Sequence, residues 1–417
     1  MKLNRVVVTG LGSLNPIGNN IHEYWNGLIN GKSGADSITH FNAEKFKTQF
    51  ACEIKKFDPN QYFDRKELRK YDDYTTYGLV AAEEAIKDSL VDLSTIDKDR
   101  VGVIWGSGIG GIKTFSHEVG EFIKGDGIPR FNPFFIPKMI ADIAAGIMSI
   151  KYGFRGPNFA TVSACASSTH SIIDAFNYIR LGKANMFLCG GSEASIHEAG
   201  VGGFNALKAL STNNNNPSKA SRPFDVNRDG FVLGEGGGAL ILEDYNHAIS
   251  RNAKIYAEII GGGMSADAHH ITAPHPNGEG AILVMKNALL DANIDAKYID
   301  YINVHGTSTP LGDISEMKAI ENVFKENIYD LNISSTKSMT GHLLGAAGAI
   351  ESIACILALY HNTIPPTINL ENLDPELDNK INYTANTAQK RNINYALCNT
   401  FGFGGHNASI IFKSFDH

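Results

Sequence analysis

Short runs of β-branched and aliphatic residues recur along the chain, each closing on glycine or a small polar residue and leading into a longer stretch of helical periodicity. The runs predict strands at Arg5–Thr9, Val101–Trp105, Asn158–Val162, Asn185–Cys189, Ala239–Leu242, Ile255–Ile260, Tyr301–Val304, Asn332–Ser335 and Tyr395–Asn399. They are apolar throughout rather than alternating, as in strands covered on both faces, so the pattern predicts an α/β protein with helices on either side of its sheets.

The order of these segments repeats. RVVVTG, VGVIWGSG, NFATVSAC with a small-residue helix, and NMFLCGG are followed by KIYAEIIGGG, IDYINVHGTS, NISSTKSMTGHLLGAAGAIESIACILAL and YALCNTFGFGG. Each set reads strand, strand, strand–turn–buried helix, strand, which predicts two duplicated halves, 1–252 and 253–417, with the boundary near Tyr245–Lys254. Two unrelated α/β domains are the alternative. Thr212–Pro217 (TNNNNP) reads as a surface loop. The stretch Leu343–Tyr360 is apolar nearly all round and predicts a helix between layers. Its one acid, Glu351, then needs a buried partner, and Lys337 is the natural counter-ion.

Composition narrows the class. The 417 residues carry a net charge of −7, with 43% hydrophobic and only 19% charged residues. Disorder is excluded, and so few charges imply extensive burial by folding or by a partner subunit. The mild acidity, without long charge runs, gives no reason to expect nucleic acid or a membrane as partner. The apolar run Val6–Val8 is too short for a secretion signal, and no run approaches a membrane span, so a soluble cytoplasmic protein is expected. Five scattered cysteines, Cys52, Cys165, Cys189, Cys355 and Cys398, fit a reducing compartment better than a disulfide framework.

Cys165 follows the strand NFATVSA and opens the helix ASSTHSIIDAF, a position where free N–H groups and the helix dipole favour thiolate. An inert core cysteine is the alternative. His305 ends the strand YINV, and His342 stands just before the buried helix. Each imidazole taken singly could be structural. Three such residues at matching strand ends point to a Cys/His site, because ligands and catalytic groups in α/β sheets collect at the carboxyl ends of strands. Glycine-rich Thr400–Asn407 (TFGFGGHN) is either half of an oxyanion hole or a bulged turn. Other motifs carry less. Gly106–Gly111 matches G-x-G-x-x-G without the acid-ended strand of a nucleotide site. Ser334–Lys337 matches S-x-x-K without its partner motifs, and His269, His270 and His275 lack a metal-site frame.

Taken together, the chain resembles the β-ketoacyl-acyl carrier protein synthases, most closely the type II condensing enzymes of bacterial fatty-acid synthesis. The resemblance rests on VVVTGLG, NPIG, GSGIGG, NPFFIP, YGFRGPN, SACASS, GGSEA, SRPFD, RDGFVLGEGGG, HGTSTPLGD, STKSMTGHLLGAAGAIE, PPTINL and TFGFGGHN, which span almost the full length in order. It implies the thiolase fold, two duplicated halves in a five-layered αβαβα sandwich, a homodimer with its acyl pocket near the interface, and no metal or organic cofactor. It implies Cys165 as acyl-accepting nucleophile, with the backbone N–H groups of Cys165 and Phe403 as oxyanion hole. His305 and His342 would drive malonyl decarboxylation, and Lys337–Glu351 would be a buried ion pair ordering the histidine loops. Phe403 would also gate a pocket lined by Ile109, Phe134, Phe135 and Phe204, with Thr307 and Thr309 along the pantetheine arm.

The acyl carrier protein implied as partner is acidic, so an acidic chain needs a local basic patch. Arg65, Lys66, Arg69 and Lys70, at spacings that share one helical face, supply it, with Arg130 and Lys208 as family-matched additions; a merely solvated face is the alternative. Three positions depart from the family: Ala164 where Thr often precedes the nucleophile, Ser13-Leu14-Asn15 near the start, and His406 after the glycines. A polyketide or aryl-polyene ketosynthase would share the chemistry. Cys165 argues against a chain-length subunit, His342 against the third-type condensing enzyme, and the ending Cys398-Asn399-Thr400-Phe401 against a degradative thiolase. A non-catalytic scaffold is the reading from a different class.

Overall fold

The structure, a computed structural model, describes residues 3–415. Ten strands form one mixed sheet: β1 (Val6–Leu14), β2 (Val101–Gly106), β3 (Asn158–Thr161), β4 (Met186–Glu193), β5 (Gly236–Asp244), β6 (Ala257–Ala266), β7 (Tyr301–Asn303), β8 (Asn332–Ser334), β9 (Tyr395–Gly402) and β10 (His406–Ser414). Their order across the sheet is β8-β7-β9-β10-β6-β1-β5-β4-β2-β3. Strands β1 to β5 therefore lie in the order third, second, fourth, fifth, first, and β6 to β10 repeat it. The senses repeat as well: the second strand pairs parallel with the third and fourth, and the remaining pairs within each set are antiparallel. Only Val6↔Ile259, Val7↔Glu258 and Val8↔Ala257 of β1 and β6 stitch the two sets together.

The helices bearing on the site are α1 (Asp73–Asp88), α2 (Ile112–Lys124), α3 (Ile143–Tyr152), α4 (Ser167–Arg180), α5 (Glu279–Ala292), α6 (Pro310–Phe324) and α7 (Ala347–His361). One apolar cluster packs Ile172, Phe176 and Ile179 of α4 and Ile350 and Ile353 of α7 against Leu240 of β5 and Phe412 of β10. A second holds α1 and α3 on the other face of the first sheet, and a third holds α5 and α6 on the other face of the second. The layers thus run helices, sheet, α4 with α7, sheet, helices, the five-layered αβαβα sandwich of the thiolase fold.

The central layer is buried from every side, which explains why residues Ala347–Leu359 of α7 have no polar face. This helix with the turn before it, Leu344–His361, is long and apolar enough to cross a membrane, contrary to the expectation that no such run exists, but 89% of it is inside the protein. The predicted strands all form, most of them longer than expected. Strand β10 was not anticipated: Gly404 (φ 86°) and Gly405 (φ 73°) turn the chain tightly, and it returns antiparallel to β9 from Gly402↔His406. Helix α7 starts at Ala347 rather than Leu343 because Leu344 takes φ 47° and a 3₁₀ turn covers Leu344–Ala346. All five cysteines are free and buried.

Helices α4 and α7 approach closely at Gly348, where a Cβ would lie 1.9 Å from Thr169 Oγ1 and 3.0 Å from the Thr169 backbone nitrogen. Glycine costs a helix about 1 kcal/mol relative to alanine, whereas forcing an atom into a filled core costs about 1–3 kcal/mol or more. Overpacking wins at such a separation. Gly348→Ala is therefore expected to lower stability by about 2 kcal/mol in urea unfolding, and a neutral or stabilised variant would refute the tight central contact.

Candidate active site

Cys165 sits on an elbow between β3 and α4. Ala164 before it takes φ 50°, a region that L residues rarely adopt, and a 3₁₀ turn over Ala164–Ala166 leads into the helix. Ser167 braces the bend: its hydroxyl donates to the Ala164 carbonyl at 2.7 Å and accepts the Ser163 N–H at 2.9 Å. The small residues after Cys165 thus hold an otherwise unfavourable backbone. The tip of β9 closes on the same elbow, since a Cβ on Gly402 would lie 3.0 Å from the Cys165 nitrogen and 2.8 Å from the Ser163 oxygen. The Phe403 N–H bonds toward the Cys165 sulfur.

The second half delivers the imidazoles. His342 Nε2 stands 3.1 Å from Cys165 Sγ, and the His305 ring lies edge-on to His342 with centroids 5.3 Å apart. The His342 backbone is pinned by a bridge to Leu233: its N–H donates to the Val232 oxygen at 2.7 Å and its oxygen accepts the Gly234 N–H at 2.9 Å. His305 is held by Glu316 of α6, a buried carboxylate that accepts the N–H groups of His305 (2.9 Å) and Gly306 (2.8 Å). Glu316 escaped the sequence reading; an acid amid the apolar face of α6 was the available signal. Lys337 and Glu351 meet as an ion pair with both side chains 1% exposed.

Burial governs the electrostatics. It pulls both His305 and His342 well below the usual imidazole value, and the Lys337 charge pushes in the same direction, so both rings are neutral near pH 7. Burial also lifts the Cys165 thiol to about 12, against the opposing effects of Lys337 and the Phe403 N–H. This corrects the expectation that the helix start favours thiolate: a helix terminus is worth up to about 2 kcal/mol, and desolvation in this pocket exceeds it. The free protein holds a thiol beside a neutral imidazole. Glu351 is raised to about 7 by its burial, with Lys337 opposing that shift.

A cavity of about 520 Å³ opens from Cys165 to the surface. Ile109, Phe204, Thr307, Thr309, Lys208 and Phe403 line it, together with both histidines. Thr307 and Thr309 hydroxyls are 3.0 Å apart, and the Phe403 ring lies 6.4 Å from Phe204. Phe134 and Phe135 are not there. They sit on an aromatic surface with Phe115, Phe122 and Phe131, because the segment after α2 packs outward rather than over Cys165. The basic segment forms a helix of only a single turn, Arg65–Leu68, begun by a reciprocal cap between Asp64 and Glu67, so Arg69 and Lys70 lie beyond its last helical residue. Arg69 instead joins Arg130 and Phe134 along an open cleft, with Lys70 Nζ 5.8 Å from the Phe134 ring, and Arg130 pairs with Asp126 at 3.0 Å. The loop Gly106–Gly111 gives the N–H groups of Gly108 and Ile109 to Glu193 rather than facing a nucleotide site. Among the described residues no group of three or more His, Cys, Asp or Glu is placed to hold a metal ion.

Solved structures similar to this chain include ketosynthases. A β-ketoacyl synthase from Burkholderia phymatum is 33% identical with a TM-score of 0.92, covering 99% of this chain and 100% of that one. A type II polyketide ketosynthase in complex with its acyl-carrier protein is 34% identical with a TM-score of 0.88 over 99% of this chain and 100% of that one. Fold and site together thus define a condensing enzyme. The chain belongs to the β-ketoacyl synthase family, whose N-terminal and C-terminal domain models match residues 3–248 and 256–371. It is 44% identical to the 3-oxoacyl-[acyl-carrier-protein] synthase 2 of Synechocystis, over 100% of this chain and 99% of that protein. It is 47% identical to that of Staphylococcus aureus, over 99% of both.

Removing one partner of a buried ion pair strands a charge and costs about 3–5 kcal/mol, whereas replacing both with apolar groups is often nearly neutral. Lys337→Met is expected to lose stability on that scale in chemical denaturation, and Lys337→Met with Glu351→Leu to regain most of it. Equal loss in single and double variants would show that the pair is not coupled.

Proposed function

We propose that the chain is a β-ketoacyl-acyl carrier protein synthase that elongates fatty acids by two carbons, with Cys165 as nucleophile and His305 and His342 as the decarboxylating pair. The approach of His342 Nε2 to Cys165 Sγ at 3.1 Å carries the reading. In the first step the Cys165 sulfur attacks the thioester of an acyl-carrier protein, its proton passing by way of His342 to the departing pantetheine thiolate. The N–H groups of Cys165 and Phe403 hold the tetrahedral oxyanion. Leaving and attacking groups are alike, so the exchange needs little driving force.

Malonyl-carrier protein then enters along Thr307 and Thr309. Neutral imidazoles are donors without net charge, suited to a thioester oxygen that becomes an enolate as CO₂ departs. The enolate carbon attacks the acyl-Cys165 carbonyl, the C–S bond breaks, and the β-ketoacyl product leaves on the carrier while the Cys165 sulfur regains a proton. Lys337 and Glu351 keep the histidine loops in register. Ile109 and Phe204 line the acyl pocket and Phe403 gates it.

Arg65, Lys66, Arg69, Lys70, Arg130 and Lys208 receive the acidic carrier. The exposed aromatic surface around Phe115, Phe122 and Phe131 supports a homodimer, since so large an apolar patch is unusual on a monomer; Phe134 and Phe135 would then line the pocket only across that interface. The halves are 1–252, with the nucleophile, and 253–417, with the histidines. Five buried free thiols fit a cytoplasmic location. Full-length relatives at 44–47% identity named 3-oxoacyl-[acyl-carrier-protein] synthase 2 favour fatty-acid elongation over a polyketide or aryl-polyene role.

Four outcomes test the reading. Cys165→Ala is expected to form no acyl adduct by intact mass. His305→Ala and His342→Ala should each cut malonyl decarboxylation by about 10²–10³ while adducts at Cys165 remain detectable, forming more slowly in His342→Ala, which lacks the proton relay; a histidine variant that decarboxylates normally leaves the mechanism. Because burial and the Lys337 charge hold both imidazoles neutral, decarboxylation in the wild type should show no loss as the pH falls through the ordinary imidazole value of about 6.5. A rate that halves near 6.5 would mean that the rings titrate normally. Charge reversal at Lys66 and Arg69 should weaken carrier binding most at low salt, and an unchanged Kd would remove that patch.

A further inference from the structure

Glu193, the last residue of β4, is fully buried and does not line the cavity. Its carboxylate nonetheless holds two segments that do. Oε2 accepts the N–H of Gly108 at 2.7 Å and of Gly345 at 3.0 Å; Oε1 accepts the N–H of Ile109 at 3.2 Å and the Ser107 hydroxyl at 3.3 Å. One side of this clamp is the loop that carries Ile109 into the cavity. The other is the turn Leu344–Ala346 that follows His342, from which Leu344 also lines the cavity.

The Ile109 side chain is 41% exposed, so packing does not fix where it stands. Its backbone does, and that backbone is tied to the Glu193 carboxylate. The Ser107 hydroxyl adds a second tie by accepting the Gly110 N–H at 3.0 Å, where the chain turns at φ 75°. Four donors converge on the two oxygens of this one buried carboxyl group, three of them from the loop, so the loop follows the clamp.

We propose that Glu193 is a positioning residue that fixes the Ile109 wall beside Cys165 and thereby limits the length of acyl chain the cavity accepts. The inference rests on the acyl-enzyme reading above. It concerns a residue that touches neither substrate nor the reacting sulfur and acts only through the loop it holds.

The test is the rate of acyl-Cys165 formation, read by intact mass, from octanoyl- and hexadecanoyl-carrier protein. Glu193→Gln keeps the volume but turns an amide NH₂ toward N–H donors, freeing the loop. The hexadecanoyl-to-octanoyl rate ratio is expected to rise about tenfold, roughly the worth of one buried hydrogen bond. Ser107→Ala loosens only the Ile109 side and should shift the ratio in the same direction; it decides alone if Glu193→Gln does not fold. In an Ile109→Gly background Glu193→Gln should shift the ratio no further, since the wall is already gone. Equal loss on both chains, or an unchanged ratio, overturns the inference and leaves Glu193 a purely structural cap. A wild type that forms no adduct with either chain fails at the earlier reading instead.

Discussion

The first turns of α4 and α7 meet back to back at Thr169 and Gly348, and the catalytic geometry follows from that contact. Two hydrogen bonds tighten it: Ser168 Oγ accepts the Ala349 N–H at 2.9 Å, and Thr400 donates to Thr169 Oγ1 at 2.8 Å. Each helix is preceded by a strained elbow, with Ala164 at φ 50° and Leu344 at φ 47°. Fixing the helices at their starts brings the elbows face to face, and with them Cys165 from one half and His342 from the other. Neither half contains the site; it exists only at the seam between duplicated units joined by three residue pairs of sheet.

Burial at that seam sets the chemistry. A site open to water would leave the imidazoles partly charged near neutrality and the thiol close to its ordinary value. Here desolvation and the Lys337 charge act together on both rings, and desolvation overrides the helix-terminal field at Cys165. The protein thus holds neutral donors and a neutral thiol until a thioester arrives. Lys337 can supply its field only because Glu351 is paired with it from inside α7, which accounts for a carboxylate in the most apolar helix of the chain.

Much of this was legible in the sequence because the determinants are local. Apolar runs bounded by glycine mark strands buried on both faces, and a helix without a polar face can lie only between layers. The repeat order RVVVTG to NMFLCGG and KIYAEIIGGG to YALCNTFGFGG matches the repeated strand order. What was missed depends on contacts distant in sequence. Strand β10 follows a glycine hairpin that reads as an ending. Glu316 and Glu193 hold backbone N–H groups across loops, partners distant in sequence that no local pattern names. The thiol's elevation reflects the depth of the pocket, and no motif encodes depth. Arg65 to Lys70 carry helical spacing, yet the capping box begins only a single turn.

The two elbows differ in what closes on them. Strands β4 and β9 are each eight residues long and occupy the same place in their halves; β4 ends at Glu193 and β9 at Gly402. At the second elbow the Glu193 carboxylate fills the space before the turn and takes up the Gly345 N–H. At the first, Gly402 has no side chain, and any Cβ there would crowd the Cys165 nitrogen at 3.0 Å. The same backbone geometry therefore presents a turn capped by the protein's own anion in one half. In the other it leaves open a place where an anion can form, which is what a thioester attacked by the Cys165 sulfur requires. A single residue at the end of an equivalent strand separates the clamp from the oxyanion site.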